Sequence, residues 1–257
     1  MLLLPLGIME KYSFHLDAVR AAVPTAGMLD LAPLASLQFV FLCFTNRCGS
    51  NFIAETLASD GQLNLAFECW NSEQVIRTVQ ERLACDLQGY FSGVSRHSAR
   101  GGRFVSKLGI EHVALLHAAG LLEPFIGQSR FIMIERADKL GQAISMSIAE
   151  GTSWWASYNT PLRQASELVF SRDAIDACLD LILDQNALFD RFFAQNGIIP
   201  TWVNYEQFVQ HPDQMTQHVG SALGLPELRN VPANLQVSRQ SGEVNRIWRE
   251  LYLAETR

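Results

Sequence analysis

Charge is scarce in this sequence. Asp, Glu, Lys and Arg make up 18% of its 257 residues, against 48% hydrophobic ones. Such a chain can fill a core, which excludes a disordered or linker-like protein. A net charge of −6 supplies no general attraction to nucleic acid or to an anionic membrane, so any anion site must be local. The cysteines number 5 and no Cys-x-x-Cys occurs. That spacing fits neither a metal site nor a secreted disulfide framework, and a reducing cytoplasm is the simpler reading. No apolar run approaches the roughly 18 residues of a membrane span. The opening MLLLPLGIM has no basic stretch before it and stops at Glu10-Lys11. It reads as a packed or frayed terminus rather than a signal peptide. Repeats and low-complexity tracts are absent, and the length suits a single domain over 1–257. Residues 1–37 give no clear periodic signal.

What is present is an alternation of strand and helix patterns. QFVFLCF (38–44), RFVSKLGI (103–110), RFIMIER (130–136) and IPTWVNY (199–205) read as strands apolar on both faces, as in a parallel sheet. Helical spacing follows in Ile53, Ala54, Leu57 and Ala58, and again in 138–150, where Asp138 is placed to cap. A longer stripe runs through 173–195, with further helices near Val219 and over 243–254. Together these predict an α/β fold: a three-layer sandwich around a central, mainly parallel sheet. The segment 86–103, DLQGYFSGVSRHSARGGR, is rich in Gly, Ser and Arg and reads as a mobile loop.

The first strand leaves through FTNRCGSNF (44–52). A loop between a parallel strand and a helix points backbone N–H groups at one spot, and the helix dipole adds positive charge there. Gly49 allows close approach of an anion, while Arg47, Ser50 and Asn51 can donate hydrogen bonds. The loop is phosphate-loop-like but not a Walker A sequence. That motif needs a glycine where Phe44 stands and a lysine where Ser50 stands. On this stretch alone a capped glycine turn is an equal reading.

A second anchor lies in IERADKLGQAIS (134–145). Arg136 ends the third strand and Ser145 lies in the next helix, so the two can grip another anion at the same sheet edge. The bland alternative pairs Arg136 with Asp138 and lets Ser145 bond back to its own helix.

These residues resemble the sulfotransferases that use 3′-phosphoadenosine-5′-phosphosulfate, most closely the bacterial trehalose 2-sulfotransferase family. The matching pieces are TNRCGSNFIAETLASDG, AFECW, SKLGI, FIMIERADKLGQAIS, TSWW, VNYEQFVQHP and SRQSGEVNRIW. The resemblance covers roughly residues 38–250, and the two anion motifs with R-Q-x7-W at 239–248 carry it. It implies that residues 47–51 (Arg47, Cys48, Gly49, Ser50, Asn51) hold the 5′-phosphosulfate. Arg136 and Ser145, with Arg239, hold the 3′-phosphate. Glu68 stands where the trehalose enzymes carry their proposed catalytic base, and Lys107 matches a family lysine near the sulfuryl group. The implied product is adenosine 3′,5′-bisphosphate, and no metal is needed. The implied acceptor is a carbohydrate or glycolipid hydroxyl, with residues 66–103 as an acceptor-side insertion. The expectation includes no nucleic acid and no stable membrane insertion, and leaves room for a homodimer.

The sequence departs from the family in carrying Asn51 for the usual Thr, and Cys69-Trp70 for the aromatic residues that commonly follow the glutamate. Read without the family, Glu68 is a solvated loop carboxylate and Lys107 a strand-end lysine in water. His112 and His117 read as structural, and Trp154 and Trp155 line either an acceptor pocket or the core. Two rival functions remain open at this stage: a small-molecule kinase using ATP and magnesium, and a catalytically silent nucleotide-binding relative.

Overall fold

The computed structural model describes residues 2–23, 32–82, 86–157, 159–237 and 242–255. Four parallel strands form one sheet in the order β2–β1–β3–β4, where β1 is Gln38–Cys43, β2 Arg103–Leu108, β3 Ser129–Glu135 and β4 Thr201–Asn204. Both faces of the central strand are apolar, so side chains of alternate residues enter two different cores. Phe39, Phe41 and Cys43 face one core with Phe104 and Phe131; Val40 and Leu42 face the other with Val105, Ile132 and Val203.

Helices cover both faces, which gives the predicted sandwich. The first core is closed by α1 (Ile8–Ala22), α3 (Ser72–Arg82), α4 (Leu87–Ser98), α5 (Ile110–Ala118) and part of α7 (Arg172–Gln195). The second is closed by α2 (Ser50–Ala58), α8 (Tyr205–Gln210) and α9 (Pro212–Ala222). A third cluster joins α6 (Lys139–Thr152) to α7 and α10 (Glu243–Ala254) through Ile144, Ile148, Ile182 and Trp248. Asp138 caps α6 as expected, its carboxylate accepting the Gly141 N–H at 3.0 Å.

One expectation fails in the N-terminal half, and a stretch without clear periodic signal contains a helix. Residues 86–103 are not a mobile loop: they form α4, a tight turn and the first residue of β2. Asp86 caps the helix by accepting the Gly89 N–H at 2.7 Å. Leu87, Tyr90 and Phe91 are buried, and Phe91 stacks on Trp70, Phe39 and Phe125. The Gly and Ser residues lower helix propensity, but aromatic packing outweighs a term of at most about 1 kcal/mol per residue. The true turn is confined to the left-handed Gly101 and Gly102. Residues 1–37 likewise contain α1, which buries Ile8, Tyr12, Leu16 and Val19. Phe91→Ala should therefore cost about 3–5 kcal/mol in urea unfolding, as for other buried aromatic truncations. An effect near zero would restore the loop reading.

Candidate active site

All four strands end at one edge, and the order of strand addition reverses between β1 and β3, with β2 placed on one side of β1 and β3 and β4 on the other. In open parallel sheets the crevice at such a switch is where ligands bind. Here it opens into a cavity of about 1430 Å³. Loops after β1 and β3 form one wall, and the segment before α3 forms another.

The loop after β1 is rigidly shaped. Gly49 is left-handed, with φ 90°, and an added Cβ would lie 2.2 Å from the Tyr205 ring. Only glycine lets that ring close against the backbone. Arg47 is also left-handed, at φ 63°, an uncommon state for a residue with a side chain. Gln142 on α6 holds the turn, donating to Thr45 Oγ1 at 2.9 Å and to the Asn46 carbonyl at 2.8 Å. The chain then enters α2 at Ser50, whose first N–H groups face this spot.

Two guanidiniums meet beside the loop. Arg47 Nε donates to Ser145 Oγ at 3.0 Å and its Nη1 to the Trp155 carbonyl at 2.7 Å. Arg136 Nη1 donates to the Arg47 carbonyl at 3.4 Å, and Nη2 lies 3.6 Å from the Asp138 carboxylate. The pairing of Arg136 with Asp138 thus exists. Ser145, however, accepts from Arg47, so the loop and the α6 anchor are one continuous cluster. Arg136 Nε is buried with no hydrogen-bond partner. Burial, then the neighbouring Arg136 charge, press the Arg47 pKa down from its usual value. An orphan buried donor beside two repelling cations is an arrangement an anion would relieve.

Across the cleft lie Glu68 and Lys107, which the family resemblance gives as base and sulfuryl-side lysine and which read as solvated residues without it. Residues 65–67 run parallel beside β2: the Ala66 N–H donates to the Val105 carbonyl at 2.9 Å and the Lys107 N–H to the Phe67 carbonyl at 2.8 Å. This pairing delivers Glu68 next to Lys107, and the two form a direct salt bridge. Lys107 has a side-chain exposure of only 2%, while Glu68 keeps 41% toward the cavity. The ammonium also donates to Asn51 Oδ1 at 2.7 Å and sits 4.2 Å from the Phe44 ring centroid. Burial raises the Glu68 carboxyl pKa, but the Lys107 charge and hydrogen bond outweigh it and leave the group below its usual range. Glu68 is thus an exposed, ionised oxygen pair held by a buried cation.

Beyond Glu68 the cavity runs between two helix faces. Gln74, Arg77 and Thr78 line it from α3; Tyr90, Val94 and His97 line it from α4. Trp155 lines it from the opposite side. Sequence reasoning missed Gln142, Phe44 and these two faces, since nothing in their spacing distinguishes them from ordinary helix and strand residues. His112 is buried with its Nδ1 accepting the Gly109 N–H, a structural role as read. Glu206 is structural too, its carboxylate accepting the Ala137 and Asp138 N–H groups at 3.0 and 3.1 Å. Arg239 lies outside the described residues.

Residues 104–255 match a family model described as Stf0 sulphotransferase. The match takes in Lys107, Arg136 and Ser145 and begins after the β1 loop and Glu68. A search of curated proteins finds no match. The matched span exceeds half of the chain and contains three of the four sheet strands, so this protein belongs to the Stf0 sulphotransferase family and is a sulfuryl-transferring enzyme acting on a small-molecule acceptor.

Proposed function

We propose that the enzyme moves a sulfuryl group from 3′-phosphoadenosine-5′-phosphosulfate to a hydroxyl of a carbohydrate or glycolipid, with Glu68 as the base. The observation that carries this reading is the opposition, in one cleft, of a cationic cradle and an exposed carboxylate. The cradle is Arg47, Arg136 and the α2 N-terminus; the carboxylate is Glu68.

In this reading residues 47–51 hold the phosphosulfate by N–H groups and the Arg47 guanidinium. Arg136 and Ser145, with Arg239, hold the 3′-phosphate. The buried Arg136 Nε is the donor left over for that group. Asn51 replaces a hydroxyl side chain and serves to steer Lys107 through Oδ1. The acceptor enters from the α3–α4 side, where amide, hydroxyl, imidazole and guanidinium groups can bond a polyol. Residues 66–103 then form the acceptor wall of a single domain. Glu68 removes the hydroxyl proton as the new sulfur–oxygen bond forms. Lys107 offsets charge near the transferring group, so catalysis is mostly positioning and electrostatics.

A thermal-shift panel tests the donor assignment. Adenosine 3′,5′-bisphosphate should raise the melting point far more than AMP, ADP or ATP–Mg²⁺, because a ligand at 100 times its Kd adds about 2.7 kcal/mol by mass action. A larger shift with ATP–Mg²⁺ would favour a kinase and sink the assignment.

A further inference from the structure

Arg136 stands beside two acceptors and grips neither closely. Its Nη1 lies 3.4 Å from the Arg47 carbonyl and its Nη2 3.6 Å from Asp138 Oδ2, while Nε is buried without a hydrogen-bond partner. An arginine and a carboxylate side by side ordinarily close to about 2.8 Å, often through two parallel bonds. Here the carboxylate is held back.

Asp138 has other partners. Its Oδ1 accepts the Gly141 N–H at 3.0 Å as the cap of α6, and the same oxygen takes the Arg249 guanidinium of α10 in a direct ion pair. Carboxylate and guanidinium both lie over Gly141, where an added Cβ would come within 2.8 Å of Arg249 Nη2. The backbone beneath is pinned as well, the Ala137 and Asp138 N–H groups donating to Glu206 at 3.0 and 3.1 Å. Turning both Asp138 oxygens onto Arg136 would pull Oδ1 off Arg249.

Arg249 is not what holds its helix in place. Helix α10 docks through Trp248, which is buried and meets the Phe170 ring edge-on, whereas Arg249 is partly exposed. An ion pair so open to water adds little to stability. Its effect is on Arg136. With Asp138 matched by Arg249, the Arg136 charge is left for an anion. The Tyr205 ring, its centroid 5.4 Å from Arg136 Cζ, supports the guanidinium without using up a donor.

We propose that Arg249 is a positioning residue for the donor's 3′-phosphate: by engaging Asp138 it keeps that carboxylate off Arg136 and leaves the Arg136 donors open. This rests on the reading that Arg136 holds the 3′-phosphate. Without Arg249, Asp138 turns to Arg136 and competes with the phosphate for the same N–H groups. The loss falls on ligands that carry a 3′-phosphate and spares those that do not. Arg249 makes no bond to the ligand itself; it preorganises the residue that does.

The test is calorimetric titration of the full chain with adenosine 3′,5′-bisphosphate and with AMP, which lacks the 3′-phosphate. The proteins are the wild type, R249Q, D138N, the double variant and R136Q. R249Q should weaken bisphosphate binding roughly tenfold and leave AMP binding within about twofold. In the D138N background, where asparagine keeps the cap but not the competing charge, the same change should cost less than about twofold. Poorer docking of α10, or a plain loss of positive charge, would cost the same in both backgrounds. R136Q should lose roughly 10²-fold toward the bisphosphate and far less toward AMP. The role of Arg249 alone is overturned if R136Q behaves so while R249Q leaves the bisphosphate unchanged, weakens AMP equally, or costs as much with D138N as without it. If R136Q keeps the wild-type preference for the bisphosphate over AMP, the 3′-phosphate assignment falls and the role of Arg249 with it. Should R249Q not fold, R249M, equally uncharged, takes its place with the same expectations.

Discussion

Glu68→Gln lowers turnover by roughly 10²–10⁴-fold and leaves adenosine 3′,5′-bisphosphate binding at the wild-type level. An acceptor hydroxyl is far too weak an acid to ionise unaided at neutral pH, so removing the base removes most of the rate. Gln keeps the size of the side chain, and its amide oxygen can still accept from Lys107, so the buried ammonium stays solvated. The cationic cradle is built from other elements and does not depend on the Glu68 charge. Steady-state rates and calorimetric titration of the bisphosphate separate the two effects. Wild-type turnover in the variant would mean that another group takes the proton. Loss of bisphosphate binding would mean that Glu68 shapes the donor side instead.

The second large effect is expected at Gly49. Gly49→Ala puts a methyl group 2.2 Å from the Tyr205 ring and a side chain at φ 90°. Neither the ring nor the loop can stay where it is. N–H groups that converge on one spot then diverge by an ångström or so, and misplacement of that size costs on the order of 10²-fold. Bisphosphate affinity is the measurement. The double variant Gly49→Ala with Tyr205→Ala removes the clash but not the strained φ, so it should recover part of the affinity. The coupling energy of that cycle reports the contact directly. Unchanged affinity in Gly49→Ala alone would mean the donor does not sit on this loop.

The layout of the sheet was legible because its strands are apolar on both faces and each is followed by a turn or a cap. QFVFLCF, RFIMIER and the Asp138 cap each carried such a signal, and β1, β3 and α6 fall within a residue or two of expectation. Helix α4 was hidden by Gly89, Gly93 and its serines, whose local preference is overruled by Phe91 packing against Trp70 and Phe39. The loop and the Arg136 anchor were visible as motifs. Their union through the Arg47–Ser145 hydrogen bond was not, since it joins residues far apart in the chain. The Glu68–Lys107 contact was invisible for the same reason: it depends on residues 65–67 pairing with β2.

That pairing of residues 65–67 has a second result. A sheet edge is normally a row of open donors and acceptors, a template on which a stray chain can add a strand. Along β2 the Val105 carbonyl and the Lys107 N–H are already taken by the segment that leads to Glu68. At the opposite rim β4 spans only Thr201–Asn204, too short to offer much of a template, although its Trp202 is 47% exposed. The stretch of backbone that aims the carboxylate thus also shields its rim of the sheet from aggregation.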